Sequence, residues 1–292
     1  LHTAYRRQRQ MCIRDSYNLQ DSDVFAYFDR LLGSISNNFK DADIKESCLE
    51  IIMINDSPNQ NICDLLEMVA QKYNLGSKIK LFNNITNEGQ AYSRNRGAEI
   101  AQGEYLHFID QDDFISSEFY KKMFVMDNAD IYIANPYLYV TSNNQSKSFL
   151  KKKTIFFYER ATYLSDVRFF CFSNIAVSPG QYLISKHLFE KVGGYTNLKN
   201  RGSDDWGIFV KLLCLESKIF ICFSCNSIFY YRLHSSQGMK ILNIRASVRE
   251  QVEKIIHTKN IPIYMRMLMY FKVSSLTCLL YTSPSPRDRS LS

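Results

Sequence analysis

Apolar and polar positions along this chain follow two periods in turn. Val24, Phe25, Phe28, Leu31, Leu32 and Ile35 recur at helical spacing, and Leu49 to Ile54 then reads as a buried strand ending in Asn55-Asp56-Ser57-Pro58. The same pattern predicts a helix over 61–73, a strand over 78–82, a helix over 90–101 and a strand over 105–109. The helix over 90–101 is rich in small residues (Ala91, Ser93, Gly97, Ala98, Ala101), which suits close packing on a sheet. Strands alternating with helices at short spacing predict an α/β fold with a doubly wound, mostly parallel central sheet flanked by helices. The second half is less regular. It predicts strands over 131–140 and 155–158 around a polar, basic loop over 142–153. A turn at Ser178-Pro-Gly-Gln181 leads into a short strand and a helix stopped by Gly193-Gly194. A helix over 203–216, a β-like run over 219–231 and C-terminal helices over 242–257 and 263–276 follow. The last helix carries Met265, Leu268, Met269 and Phe271. It reads as core-facing, with a membrane surface as the alternative.

The strand over 105–109 runs into Asp110, Asp112 and Asp113. Ligands of open α/β sheets sit outside the carboxyl ends of such strands. Carboxylates crowded there repel one another unless a hard cation such as Mg2+ or Mn2+ lies between them. An acidic turn capping the helix expected near Ser116 explains the same residues, and the segment alone leaves both readings open.

The two ends stand apart. Met11–Ser16 and Cys278–Ser283 can both be encoded by one short DNA string read in opposite orientations, which resembles a transposon end used in sequencing libraries. Residues 1–16 and 278–292 are therefore expected to be an artefactual, disordered arm and tail. The expected domain is 17–240 without its first strand, followed by a helical extension over 241–277. The full chain carries +7, of which 1–16 hold +3 (four Arg, one Asp) and 278–292 hold +1 (two Arg, one Asp), leaving about +3 for the body. So small an excess gives no reason to invoke nucleic acid. No apolar run approaches the ~20 residues of a membrane span. Six scattered cysteines in 17–277 suit reduced thiols and a cytoplasmic setting. Cys222-Phe-Ser-Cys225 lacks the second pair that a zinc site would need.

Taken in order, Tyr17-Asn18, Glu50 to Ser57, Asn87-Glu-Gly89, Ser93-Arg-Asn-Arg-Gly97, Gly103 to Asp113, Ser203-Asp-Asp-Trp206 and Tyr230-Tyr-Arg-Leu-His234 resemble the family 2 glycosyltransferases of the GT-A fold. That resemblance implies an inverting transfer of a sugar from a nucleotide-sugar, UDP-linked by expectation, to a hydroxyl acceptor in polysaccharide or glycolipid synthesis. Asp56 would bind the nucleotide base, and a helix cap is its residue-level alternative. Asn87 and Arg94 would bind the donor, although Arg94 alone reads equally as a solvated helix charge. Asp110 and Asp112 form the DxD pair, expected to hold Mn2+ or Mg2+ on the donor diphosphate, with Asp113 supporting the turn. His234 matches a histidine that reaches the metal or diphosphate in some members. Asp205 would be the general base, with Asp204 where the family more commonly has Glu. Gly180 and Gln181 are expected to line the acceptor pocket. The implied partners are a nucleotide-sugar and a glycan or lipid-linked acceptor, at the inner face of a membrane if peripherally associated. A sugar-nucleotide pyrophosphorylase and a non-catalytic binding module are the rival readings.

Overall fold

The structure, a computed structural model, describes residues 9–15, 24–39, 49–59, 61–124, 129–140, 144–148, 178–199, 203–213, 215, 218–222, 227–233, 241–256, 263–264, 266–267 and 269–270. In chain order these form β1 (Arg9–Asp15), α1 (Val24–Asn38), β2 (Leu49–Asn55), α2 (Cys63–Lys72), β3 (Ile79–Asn83), α3 (Gln90–Ile100), β4 (Tyr105–Asp110), β5 (Phe114–Ile115), α4 (Phe119–Met123), β6 (Ile131–Val140) and β7 (Gln145–Ser148). A 3-10 turn (Pro179–Gln181), β8 (Tyr182–Ser185), α5 (Lys186–Lys191), α6 (Asp204–Leu213), β9 (Ile219–Cys222), β10 (Ile228–Leu233) and α7 (Ile241–Ile256) complete them.

The sheet runs β3-β2-β1-β4-β8-β6-β10-β5, with β7 and β9 also paired to β6. β3, β2, β1 and β4 are parallel. β8 is antiparallel to both β4 and β6, and β6 and β10 are parallel. The chain moves outward from β1 to β3 and then returns to the other side of β1 with β4. This reversal places a ligand crevice at the carboxyl ends of β1 and β4.

The pleat sorts side chains into two layers. Ile51 and Met53 pack with Phe28, Leu32, Leu66 and Val69 of α1 and α2, whereas Ile52 and Ile54 pack with Ala91 and Ala98 of α3 and Ile208 and Leu212 of α6. Each fully buried aliphatic or aromatic side chain contributes about 1.5–3 kcal/mol. Burial on both faces explains why β2 and β4 read as near-continuous apolar runs.

The structure corrects several expectations. The sheet does not lack its first strand, and 1–16 is not wholly a disordered arm: Arg9–Asp15 lies between β2 and β4, with Ile13 in register with Met53 and Ile109. A gap there would strand the N–H and C=O groups of both neighbours, and any extended segment that fills it satisfies two ladders. The loop expected over 142–153 contains β7, an exposed edge strand on β6. The run over 219–231 is two strands, not one. α7, within the expected helical extension, packs on the start of α6, where Ser247 Oγ accepts the Ser203 N–H at 3.0 Å. Residues 155–158, Cys225 and 278–292 lie outside the described residues. Of the last expected helix, the described residues are helical; Met269 is buried, while Ile263 and Met267 are exposed. No helix among the described residues is long and apolar enough to cross a membrane.

Candidate active site

Asp56 follows β2 and is fully buried. Its Oδ1 accepts the Glu88 N–H and Asn84 Nδ2, and its Oδ2 accepts the Gly89 N–H, all at 2.8 Å. Gly89 precedes α3 with φ +91°, a conformation that favours glycine. Asp56 therefore caps α3 and not the α2 that follows it in sequence, using a carboxylate where helix N-termini attract negative charge. Asn87 donates Nδ2 to the Asp56 main-chain carbonyl at 2.8 Å. The loop between β3 and α3 is thus laid over Asp56, at the sheet edge.

One turn into α3, Arg94 is 1% exposed. The solvated-charge reading of this residue fails. Its NH1 donates to Asp205 Oδ1 at 2.8 Å and its NH2 to Asp110 Oδ1 at 3.0 Å, while the guanidinium lies 5.2 Å from the Tyr195 ring centroid. Burial alone would lower the pKa of Arg94, but Asp110 and Asp205 outweigh it and hold the pKa above the ordinary value. This one cation joins the last residue of β4 to the first turn of α6. The two carboxylates it grips keep 25% and 30% of their side-chain surface open to solvent.

The acid turn is closed by Asp113 N–H donating to the Asp110 carbonyl at 3.1 Å. Asp113 is fully buried, as befits a residue that supports the turn. It accepts the Arg232 N–H at 2.9 Å and Ser178 Oγ at 3.4 Å. Burial, then the charges of Asp112 and Asp110, push its pKa well above the usual carboxylate range. Asp112 stays partly exposed beside it. Asp205 opens α6 with Asp204, where the helix dipole favours acids. Ser203 and Ser247 share a 2.6 Å hydrogen bond just before it, so α7 fixes where Asp205 starts.

Asp56, Asn87, Arg94, Asp110, Asp112 and Asp205 all lie on elements that end or begin at this sheet edge, and Arg94 binds two of the others directly. His234 lies outside the described residues. Gly180 and Gln181, expected at the acceptor pocket, lie in the 3-10 turn before β8. Both are buried, with Gln181 Nε2 donating to the Ala134 carbonyl at 3.1 Å and the Gly180 carbonyl facing His107 Nε2 at 2.7 Å. A depression of about 560 Å3 runs along α1 and is lined by Asp29, Arg30, Tyr73 and Phe114 and by none of the acids at that sheet edge. Sequence reasoning missed His107, Ser178, Arg232 and Ser247. His107, Ser178 and Arg232 stood inside the Gly103 to Asp113 string, the Ser178 to Gln181 turn and the Tyr230 to His234 string without a role of their own, and Ser247 carried no signal.

Two carboxylates at the end of β4 offer oxygen-only donors. That chemistry fits a hard divalent cation held by one or two carboxylates and completed by substrate phosphates. Among the described residues no three His, Cys, Asp or Glu side chains converge as an all-protein metal cage.

Comparison with known proteins gives the family and the fold. The chain is 26% identical over 204 residues to the glycosyltransferase GlyG of Streptococcus pneumoniae, covering 66% of this chain and 64% of that protein. It is 34% identical over 104 residues to the cholesterol galactosyltransferase of Borreliella burgdorferi, covering 35% and 28%. It is 35% identical over 82 residues to an uncharacterised Haemophilus influenzae glycosyltransferase, spanning 32% of its length. The chain thus spans less than two thirds of these curated relatives. Its fold matches that of Staphylococcus aureus TarS 1–349 in complex with UDP-GlcNAc (TM-score 0.60, 16% identity, 90% of this chain and 70% of that one). It also matches the Pyrobaculum calidifontis mannosyltransferase PcManGT in complex with GDP-Man and Mn2+ (TM-score 0.55, 12% identity, 98% and 79%), so the fold is of the GT-A type. Residues 29–240 match the family described as glycosyltransferase like family 2, and the chain belongs to that family.

Proposed function

We propose that this chain transfers a sugar, with inversion, from a UDP-linked donor to a hydroxyl of a glycan or lipid-linked acceptor. The observation that carries this reading is the Arg94 bridge, which binds Asp110 at the end of β4 and Asp205 at the start of α6. Asp56, one of whose four lone-pair directions is left by its three amide donors, accepts a hydrogen bond from the nucleotide base. Asn87 fixes the loop beside the base. Asp205 takes the proton of the acceptor hydroxyl as that oxygen bonds to the anomeric carbon. The bond from that carbon to the diphosphate oxygen breaks, and the nucleoside diphosphate leaves with the electron pair. Arg94 orients Asp205 and Asp110 for these tasks. Asp110 and Asp112, with His234, would hold Mn2+ or Mg2+, which neutralises charge on the leaving diphosphate. A cytoplasmic setting at the inner membrane face suits a lipid-linked acceptor.

The test is UDP release from a panel of UDP-sugars with and without Mn2+, with Asp112→Asn and Asp205→Asn alongside. Metal-dependent turnover of one donor is expected, reduced about 10²–10⁴-fold in Asp205→Asn. A protein that binds UDP-sugars identically in both variants and never turns them over would be a binding module, and the transferase reading would fall.

A further inference from the structure

We propose that Arg232 is a positioning residue that sets the acid turn so that Asp112 faces the cation and diphosphate of the donor. The inference rests on the reading of that turn as a cation site. Arg232 belongs to β10, and its side chain is almost wholly buried. It holds the turn at two points. Its main-chain N–H donates to Asp113 Oδ1 at 2.9 Å, and its side-chain Nε donates to the Asp112 carbonyl at 2.6 Å. The second bond fixes the peptide between Asp112 and Asp113, and with it the direction in which the Asp112 side chain leaves the backbone.

The guanidinium is itself held in place. It lies 4.6 Å from the Tyr27 ring centroid, 5.2 Å from that of Tyr139 and 5.6 Å from that of Phe114. Aromatic faces attract a desolvated cation there. Phe114 follows the acid turn directly and pairs in register with Tyr230, their rings stacked at 4.5 Å. β10 thus grips the chain just after the turn through β5, and Arg232 reaches back to grip the turn itself. Its planar side chain directs Nε at one carbonyl while the rest of the fork lies among rings, which an ammonium on a flexible stem reproduces only in part.

The experiment is a Mn2+ titration of the full chain in the presence of UDP, read by the electron paramagnetic resonance signal of free Mn2+. It compares wild type, Arg232→Met and Arg232→Lys, with the thermal midpoint of each recorded separately. Arg232→Met is expected to raise the Mn2+ dissociation constant at least about tenfold, and Arg232→Lys to recover part of the loss. Lowered midpoints with an unchanged Mn2+ dissociation constant would mean that Arg232 only packs, which overturns the positioning role and leaves the cation site standing. No Mn2+ binding by folded wild type would overturn both.

Discussion

His107 sits inside β4 with its ring stacked on Phe119 at 5.3 Å. Nε2 faces the Gly180 carbonyl, which can only accept, so Nε2 carries the proton and Nδ1 accepts from the Tyr120 hydroxyl at 2.9 Å. Burial pushes its pKa down to about 4, against the smaller pull of the Gly180 hydrogen bond. An unfolded histidine takes up a proton near pH 6.5, whereas this one stays neutral until about pH 4. The unfolded state therefore binds more protons across that window, and stability falls as pH is lowered through it. The full loss by pH 4 is about 3 kcal/mol. Asp113, with its raised pKa, acts in the opposite sense in both proteins, so the difference in urea-unfolding free energy between wild type and His107→Gln from pH 7 to pH 4 should follow that slope. Arg94 makes a second residue-scale case. Arg94→Met leaves Asp110 and Asp205 without their shared cation. Breaking a wholly buried pair costs about 3–5 kcal/mol, which the solvent reaching both carboxylates reduces to about 1–3 kcal/mol. Arg94→Lys should restore stability more than turnover, because a point charge cannot span two carboxylates. A Lys variant with wild-type turnover would show that the fork is not needed.

At the scale of elements, the site depends on how α6 meets α7. A Cβ built on Gly207, in the first turns of α6, would lie 1.7 Å from Gln251 Nε2 and 2.7 Å from Gln251 Cγ. The glycine is there for close approach, because its φ is not in the left-handed region. Gly207→Ala must expel the Gln251 side chain or tilt α6, and with it Asp205. Such overpacking costs about 1–3 kcal/mol. The double variant Gly207→Ala, Gln251→Ala should regain most of the midpoint and turnover lost by the single one. Additive losses would show that the two residues do not collide. Such a contact was not legible in the sequence. α1 shows in the sequence as a helical apolar period and β2 and β4 as apolar runs buried on both faces, whereas α3 shows by its small residues. Likewise Asp56, Asp110 and Asp205 stand where predicted strands or helices end. Gln145–Ser148 did not read as a strand, because β7 is polar on an exposed edge. Arg232 stood just past the predicted β-like run with no role assigned, since its value depends on the register of β10 against β5. The burial of Gly180 and Gln181 was not legible either, because it comes from long-range hydrogen bonds to His107 and Ala134.

At the scale of the whole molecule, everything hangs on β1. It is the parallel neighbour of both β2 and β4, so it joins the strand that leads to Asp56 to the strand that ends in Asp110. In register, Arg14 meets both Ile54 and Asp110, and Asp15 meets Asn55. Without β1, β2 and β3 become a separate two-stranded ribbon with helices, and two strands alone are marginal in water. The base-binding and diphosphate-binding halves of the site would lose their fixed spacing. Nothing in the composition of 1–16 marks this strand, because a seven-residue strand needs only an extended backbone with open ladders on both sides. Ile13→Pro tests the point directly. Ile13 is central in β1 and opposes Met53 and Ile109, so proline removes a ladder donor where no edge exists to tolerate its absence. The expected cost is about 3 kcal/mol or more. Thermal melts should show a lower midpoint and a broadened or split transition, with UDP affinity falling in parallel. Gln10→Ala, which keeps every backbone donor, should leave both nearly unchanged. If Ile13→Pro melts and binds like the parent, Arg9–Asp15 is not the strand that holds the two halves of the sheet together.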